Sequence, residues 1–293
     1  MKILLTGASG MLAAAVIPVL ERAGHRVVKT DRYPRLPGTS EMDITDLEGV
    51  CRNIERESPG YVFHLAAETD VDLCEKDPDH AFEVNARGTE NVARAAREAG
   101  AKFLYVSTGS VFNGEKDEPY TELDRPDPVS IYGRSKLEGE SIVQGLFSEY
   151  FILRTAWLIG GWQIDKKFVY KIVQKILKGE KHLVAVSDRF GSPTFTRDFA
   201  GNLLNVIDTG KYGIYHMTNR GSCSRYEMAT RIVEYMGRKN EVEVKPVPFE
   251  DFPHLAPRGR SQVLANHMLD KLGLNNMPYW YRSLEIYISE NIK

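Results

Sequence analysis

Short apolar runs and segments of helical period alternate through the first half of this chain, and that rhythm restricts its fold more than any other feature. Ile3–Leu5 precedes a helical stretch over Met11–Arg22, and Val27–Lys29 precedes another over Asp46–Glu57. Tyr61–Leu65 is followed by a long helical segment from about Pro78 to Glu98. Phe103–Val106 is followed by a helix carrying Tyr132 and Lys136, and Tyr150–Leu153 closes the series. Strands this short and apolar, bounded by turns, suit a parallel sheet covered on both faces. The pattern therefore predicts an α/β fold with a doubly wound parallel sheet over residues 1–160, and a ligand site at the carboxyl ends of its strands.

After Gly160-Gly161 the alternation loosens. A helix is expected from about Asp165 to Lys178, a strand at His182–Val186, and turns through Gly191-Ser192-Pro193. Gly213–Met217, Arg225–Met236 and a final helix from about Pro278 to Ile292 read as mixed α/β elements, with Pro246–Pro257 a proline-rich loop. We expect residues 161–293 to form mainly a smaller mixed α/β substrate-binding region toward the C-terminus, with some segments returning to the first domain.

With 293 residues, 42% of them hydrophobic, and a formal net charge of −2, the chain can bury a large core. Its basic residues are scattered, which argues against a nucleic-acid partner. It has no signal-peptide pattern and no apolar stretch long enough to cross a bilayer, so no membrane partner and a cytoplasmic location are expected. Cys51, Cys74 and Cys223 are odd in number and form no Cys-x-x-Cys. That spacing argues against a disulfide framework and against a zinc site.

Lys2-Ile3-Leu4-Leu5-Thr6-Gly7-Ala8-Ser9-Gly10-Met11-Leu12-Ala13 reads as strand, glycine turn and helix start. Gly7 would permit the tight turn, and Gly10 the approach of a pyrophosphate to the helix N-terminus, where free N–H groups favour negative charge. This is the Rossmann dinucleotide pattern, with Ser9, Met11 and Leu12 beside the phosphates. Asp31 follows the second apolar run, where a carboxylate can accept hydrogen bonds from an adenosine ribose and repel a 2′-phosphate. Arg32 beside it could instead bind that phosphate, so both NADH and NADPH stay open. Asp43 and Ile44 lie in the next loop, with Asp46 a possible helix cap.

Tyr132 and Lys136 stand four apart. With Asp127 as N-cap and Pro128 as first helical residue, they would lie one turn apart near the start of their helix, able to form an acid/base pair. Thr108 sits at the end of the fourth predicted strand, at the edge where a doubly wound sheet places its chemistry, and is a candidate hydroxyl partner for Tyr132. Arg258 and Arg260 could pair with a substrate diphosphate, because guanidinium groups bind phosphate oxygens well. His64 at a strand end reads as a structural residue.

The glycine turn, Thr108 and the Tyr-x-x-x-Lys pair in this order resemble the extended short-chain dehydrogenase/reductase superfamily. Within it the chain resembles the dTDP-4-dehydrorhamnose reductase family along essentially its whole length. The resemblance rests on Met42-Asp43-Ile44-Thr45-Asp46, Ala66-Ala67-Glu68-Thr69-Asp70-Val71-Asp72 with Glu75, and Val84-Asn85-Ala86. It continues through Ser107-Thr108 with Val111-Phe112, Arg154-Thr155-Ala156-Trp157, and Gly191-Ser192-Pro193-Thr194 with Arg197-Asp198. It implies NAD(P)H-dependent reduction of the 4-keto group of a nucleotide-linked 6-deoxy sugar, dTDP-4-dehydro-L-rhamnose going to dTDP-L-rhamnose. Tyr132 would be the proton donor, Lys136 would lower its pKa and hold the cofactor ribose, and Thr108 would orient the carbonyl. Leu65, Ala66, Ala67 and Thr69 would flank the cofactor, with Val71, Asp72, Ser110 and Trp157 toward the sugar.

Two departures qualify the resemblance. Family members commonly carry Asp-Tyr after the threonine, whereas Gly109-Ser110 stands here and would enlarge or rehydrate the sugar pocket. Some relatives dimerise through a magnesium ion held partly by a glutamate on the first helix. Ala15 stands at that position, so no metal site is expected, although a homodimer remains open. Gly109-Ser110 also lacks the acidic pair a dehydratase would place there. A nucleotide-sugar 4-epimerase, or a non-catalytic NAD(P)-binding regulatory subunit resembling the methionine adenosyltransferase β subunit, are the competing functions.

Overall fold

The computed structural model describes residues 1–164, 167–252 and 254–292. Its central sheet has seven strands. Six are β1 (Lys2–Thr6), β2 (Arg26–Asp31), β3 (Thr39–Glu41), β4 (Tyr61–His64), β5 (Lys102–Thr108) and β6 (Tyr150–Thr155), and Gly213–His216 joins beside β6. Across the sheet the order is Gly213–His216, β6, β5, β4, β1, β2, β3, and every pairing is parallel. The order reverses between β1 and β4, the position at which a doubly wound sheet opens a crevice at its carboxyl edge.

Alternate residues of each strand supply two separate cores. Ile3, Leu5, Phe63, Leu104, Phe151 and Leu153 pack on one face, against α1 (Met11–Arg22) and the helix Thr196–Ile207. Leu4, Val62, Phe103, Tyr105 and Ile152 pack on the other. There they meet α2 (Leu47–Glu57), α5 (Gly88–Glu98) and α6 (Ile131–Leu146), while the short α3 (Val71–Lys76) and α4 (Pro78–Phe82) lie along the carboxyl edge. Each such side chain contributes about 1.5–3 kcal/mol on burial, which accounts for the unbroken apolar runs. A further core joins the helices Phe168–Leu177, Arg225–Tyr235 and Trp280–Asn291 to a parallel pair, His182–Val186 with Glu243–Val247. Among the described residues no helix is long and apolar enough to cross a membrane.

Local differences from the sequence reading have physical causes. The segment Pro78–Glu98 is not one regular helix: Glu83–Arg87 forms a π turn between α4 and α5. Helix α6 begins at Ile131 rather than Pro128. The Ser130 hydroxyl accepts from the Gly133 N–H at 3.1 Å, while Asp127 is engaged by the Asn113 side-chain amide at 3.1 Å. Asp46 stands at the N-cap of α2 but makes no capping hydrogen bond. Pro246, expected in a loop, lies in a strand whose sheet has only one partner, so its missing N–H costs no ladder bond there. The expected helix start at Asp165, and Pro253 of the proline-rich loop, lie outside the described residues. Strand β3, Thr-Ser-Glu in sequence, has no apolar run to announce it.

Candidate active site

At the crevice, β1 is followed by Gly7, whose φ of +71° is left-handed, and a Cβ there would lie 2.8 Å from the Ala66 nitrogen beyond β4. Only glycine lets these two strand ends approach so closely. Beneath them the Thr6 hydroxyl accepts from the N–H groups of Leu65 and Ala66, both at 3.2 Å. It also meets Nδ1 of the fully buried His64 at 2.8 Å, and His64 Nε2 lies 3.1 Å from the Thr89 hydroxyl. Burial pushes the His64 imidazole down to about 3, so it is a neutral brace and not a catalyst. Thr89 in turn donates to the Asn85 carbonyl in the π turn. The Asn85 side chain accepts from Glu68 N–H at 2.8 Å and donates to the Ser135 hydroxyl of α6 at 3.1 Å. The π turn thus ties the Ala66–Glu68 loop to the helix carrying Tyr132.

Helix α1 starts after Gly10 with no side-chain cap, so its first N–H groups are open to an anion. They border a cavity of about 1210 Å³ lined by Gly7, Gly10, Met11, Leu12, Asp31, Arg32, Asp43, Ile44, Leu65, Ala66, Ala67 and Thr69. Cofactor and substrate sites for single small ligands measure about 300–1,000 Å³, so this space can hold two. Asp31 accepts from the backbone N–H groups of Ser9 and Tyr33, each at 2.9 Å. Arg32 is half-exposed and pairs with Asp43 at 2.9 Å, and Asp43 also holds Thr45 in a local turn. Ser9, expected beside the phosphates, does not line the cavity; its hydroxyl donates to the Tyr33 carbonyl and accepts from Arg35 N–H.

The same cavity reaches Thr108, Tyr132 and Lys136. Thr108 ends β5. Helix α6 is aimed at it by two caps, Ser130 and the Glu75 carboxylate of α3, which accepts from Ile131 N–H at 3.1 Å. A Cβ at Gly133 would lie 2.2 Å from the Ser110 carbonyl, so the helix start seats directly on the Thr108–Val111 turn. Tyr132 lines the cavity beside Thr108, and burial pushes its phenol up to about 12, above its ordinary value rather than below it as the resemblance implies, with Thr108 opposing. Lys136 is only 2% exposed, and its ammonium lies 4.1 Å from the centroid of the Tyr105 ring. Burial pulls its pKa down to about 7, opposed by Glu140 one turn further on. Glu140 makes a buried bidentate pair with Arg154, at 2.9 and 2.6 Å, and accepts from Ser107 at 2.5 Å. Sequence reasoning passed over Glu140, although the i, i+4, i+8 stripe of Tyr132, Lys136 and Glu140 was there to be read.

Beyond the trio the cavity continues past Val71, Ser110 and Trp157 to Arg189, Arg225, Phe249 and Arg258. Trp157 has a left-handed φ of +40°. The Arg225 guanidinium stacks 3.7 Å from its ring centroid, and its indole N–H donates to Gln262 at 2.9 Å. Asp72, expected toward the sugar, does not itself line the cavity; it accepts from Arg258, which does, at 3.0 Å and from Ala256 N–H at 3.1 Å. Arg260 pairs with Asp117 and does not line the cavity. Gln262 and Arg225 were not anticipated, being more than 60 residues from the motifs they meet and carrying no pattern of their own.

A family profile described as the RmlD substrate binding domain matches residues 1–292. The chain belongs to that family. Similar proteins include the Bacillus subtilis spore coat polysaccharide biosynthesis protein SpsK, 34% identical over 99% of this chain and 97% of that protein. Two crystal structures are similar throughout, each covering 99% of both chains at a TM-score of 0.90. One is a dTDP-4-dehydrorhamnose reductase from Clostridium acetobutylicum at 38% identity, the other the Bacillus anthracis dTDP-4-dehydrorhamnose reductase in complex with NADP at 35%. Structures with 19–24% identity share the RmlD-type fold only.

Proposed function

We propose that this chain is an NAD(P)H-dependent oxidoreductase that reduces the 4-keto group of a nucleotide-linked 6-deoxy sugar, dTDP-4-dehydro-L-rhamnose going to dTDP-L-rhamnose. The observation that carries the reading is the meeting of Thr108, Tyr132 and Lys136 at the floor of a cavity that begins at an uncapped helix N-terminus. The open N–H groups of α1 and the side-chain-free Gly7 suit a dinucleotide pyrophosphate. Asp31 and Arg32 suit its adenosine ribose, with either NADH or NADPH. When bound, the reduced nicotinamide supplies a hydride for carbon 4 of the sugar.

Every other requirement falls to side chains of this chain. Thr108 donates a hydrogen bond to the sugar carbonyl and stabilises the charge that develops there. Tyr132, kept protonated by its raised pKa, gives its proton to that oxygen as the alkoxide forms. The Lys136 ammonium, one turn away, stabilises the tyrosinate left behind. Asp72 and Arg258 close the rim, with Arg258 able to exchange its carboxylate partner for a substrate phosphate. The test is to follow NADH and NADPH oxidation with a panel of nucleotide-linked 4-keto sugars and identify the product. One dinucleotide consumed per 4-hydroxy sugar formed is the expected result. Tightly retained NAD with sugar interconversion and no net consumption would establish epimerisation instead, and binding without any turnover would establish a regulatory role.

A further inference from the structure

The sugar end of the cavity contains a directed chain of hydrogen bonds that none of the motifs anticipates. It starts at Trp157, which is clamped hard: Arg225 covers one side of the indole, and a Cβ at Gly191 would lie 2.4 Å from its Cε2 atom. An indole N–H can only donate, so the Gln262 atom it meets at 2.9 Å must be the amide oxygen. That settles which way the amide points. Its nitrogen then donates to the Ser110 hydroxyl oxygen at 2.9 Å. Ser110 in turn uses its backbone N–H on the Thr108 hydroxyl oxygen, at 3.1 Å. Direction is therefore conserved along the whole chain, from Trp157 through Gln262 to Ser110.

Two protons are left over at the cavity surface: the second amide proton of Gln262 and the hydroxyl proton of Ser110. Both residues line the cavity and are half-buried, and Ser110 stands two positions along from Thr108. We infer that Ser110 and Gln262 together form a donor pair that sets sugar specificity by requiring an oxygen acceptor on the ring carbon next to the reacting one. In a 4-keto-6-deoxy sugar that acceptor is the carbon 3 hydroxyl, because carbon 5 carries a methyl group outside the ring and its only oxygen is the ring oxygen. The inference rests on the reductase reading, and it assigns to Gly109-Ser110 a polar wall supplied from the far end of the chain.

The experiment compares a dTDP-linked 4-keto-6-deoxy sugar with its 3-deoxy analogue in wild-type protein, Gln262→Met and Ser110→Ala. Selectivity is read both as the ratio of kcat/KM and, with the corresponding 4-hydroxy sugars, as the ratio of Kd. A site built around a substrate hydroxyl rejects the analogue lacking it, because its own donors are then left unpaired. Wild-type protein should prefer the 3-hydroxy compound by about tenfold or more, and each variant should bring the ratio to within about threefold of unity. The same selectivity in wild type and both variants would overturn the assignment, as would no selectivity in wild type. The Kd ratio reads the donor pair even if no ketone is turned over, so failure of the reductase reading is visible separately as zero dinucleotide oxidation. Ser110→Ala leaves the Gln262 to Trp157 bond in place, so the test survives if Gln262→Met folds poorly.

Discussion

Lys136 is a buried cation held near the point of losing its proton. Burial favours the neutral amine, and Glu140, itself neutralised by Arg154, only partly restores the charge. Because the ammonium form is the one that stabilises a tyrosinate, kcat/KM for reduction should fall as pH rises through about 7, giving an alkaline limb in the rate profile. Glu140→Gln leaves Arg154 positive and unpaired near Lys136, so it should move that limb to lower pH and cost stability. A pH–rate profile on both proteins checks this, and an unmoved limb would leave Glu140 with a packing role only. At this scale the Tyr132 and Lys136 spacing was fully legible, since one helix turn places them together. The Gln262 contact to Ser110 was not, because it spans 152 residues with no periodicity to link them.

Helix α6 is delivered to its place by its own first turn. Ser130 and Glu75 satisfy two of its orphan N–H groups, and Gly133 lets it sit against the Ser110 carbonyl. Gly133→Ala should force the helix away from Thr108, lowering kcat by at least about tenfold and stability by about 1–3 kcal/mol, as overpacked sites do. Turnover with urea unfolding on the same variant measures both. Helices α1 and α2 and five of the strands β1–β6, all but β3, were legible from period and turn residues. The start of α6 was misplaced because Asp127 and Pro128 imitate a cap, and only the folded chain shows Asn113 occupying Asp127. The π turn at Glu83–Arg87 leaves no mark on a 3.6-residue pattern, yet it carries the Asn85 bonds that tie loop to helix.

For the whole molecule, two fully buried imidazoles make folding sensitive to acid. His64 braces the strand crossing, and His216 accepts a position between the Tyr120 and Ala265 carbonyls at the sheet edge. Burial pulls both down to about 3. Below the ordinary histidine value near 6.5 the unfolded chain binds protons that the folded one refuses, so stability is full above that value and is lost as pH falls toward 3. Between pH 7 and pH 5 the loss should be about 2 kcal/mol for each residue, read from urea unfolding at the two values. The doubly wound architecture was legible because alternating cores leave their mark on every strand. The return of Gly213–His216 to the sheet was foreseen only in outline, since one four-residue strand does not declare its neighbour.

The most direct measurement is the comparison of wild-type protein with Tyr132→Phe, under single-turnover conditions with NAD(P)H and the 4-keto nucleotide sugar. Loss of the phenolic proton should slow reduction by about 100-fold or more, while the dinucleotide Kd, set at the far end of the cavity by Gly7, Gly10 and α1, stays within about threefold. Reduction by Tyr132→Phe at the wild-type rate would contradict the account, because the phenol beside Thr108 is the proton donor it names.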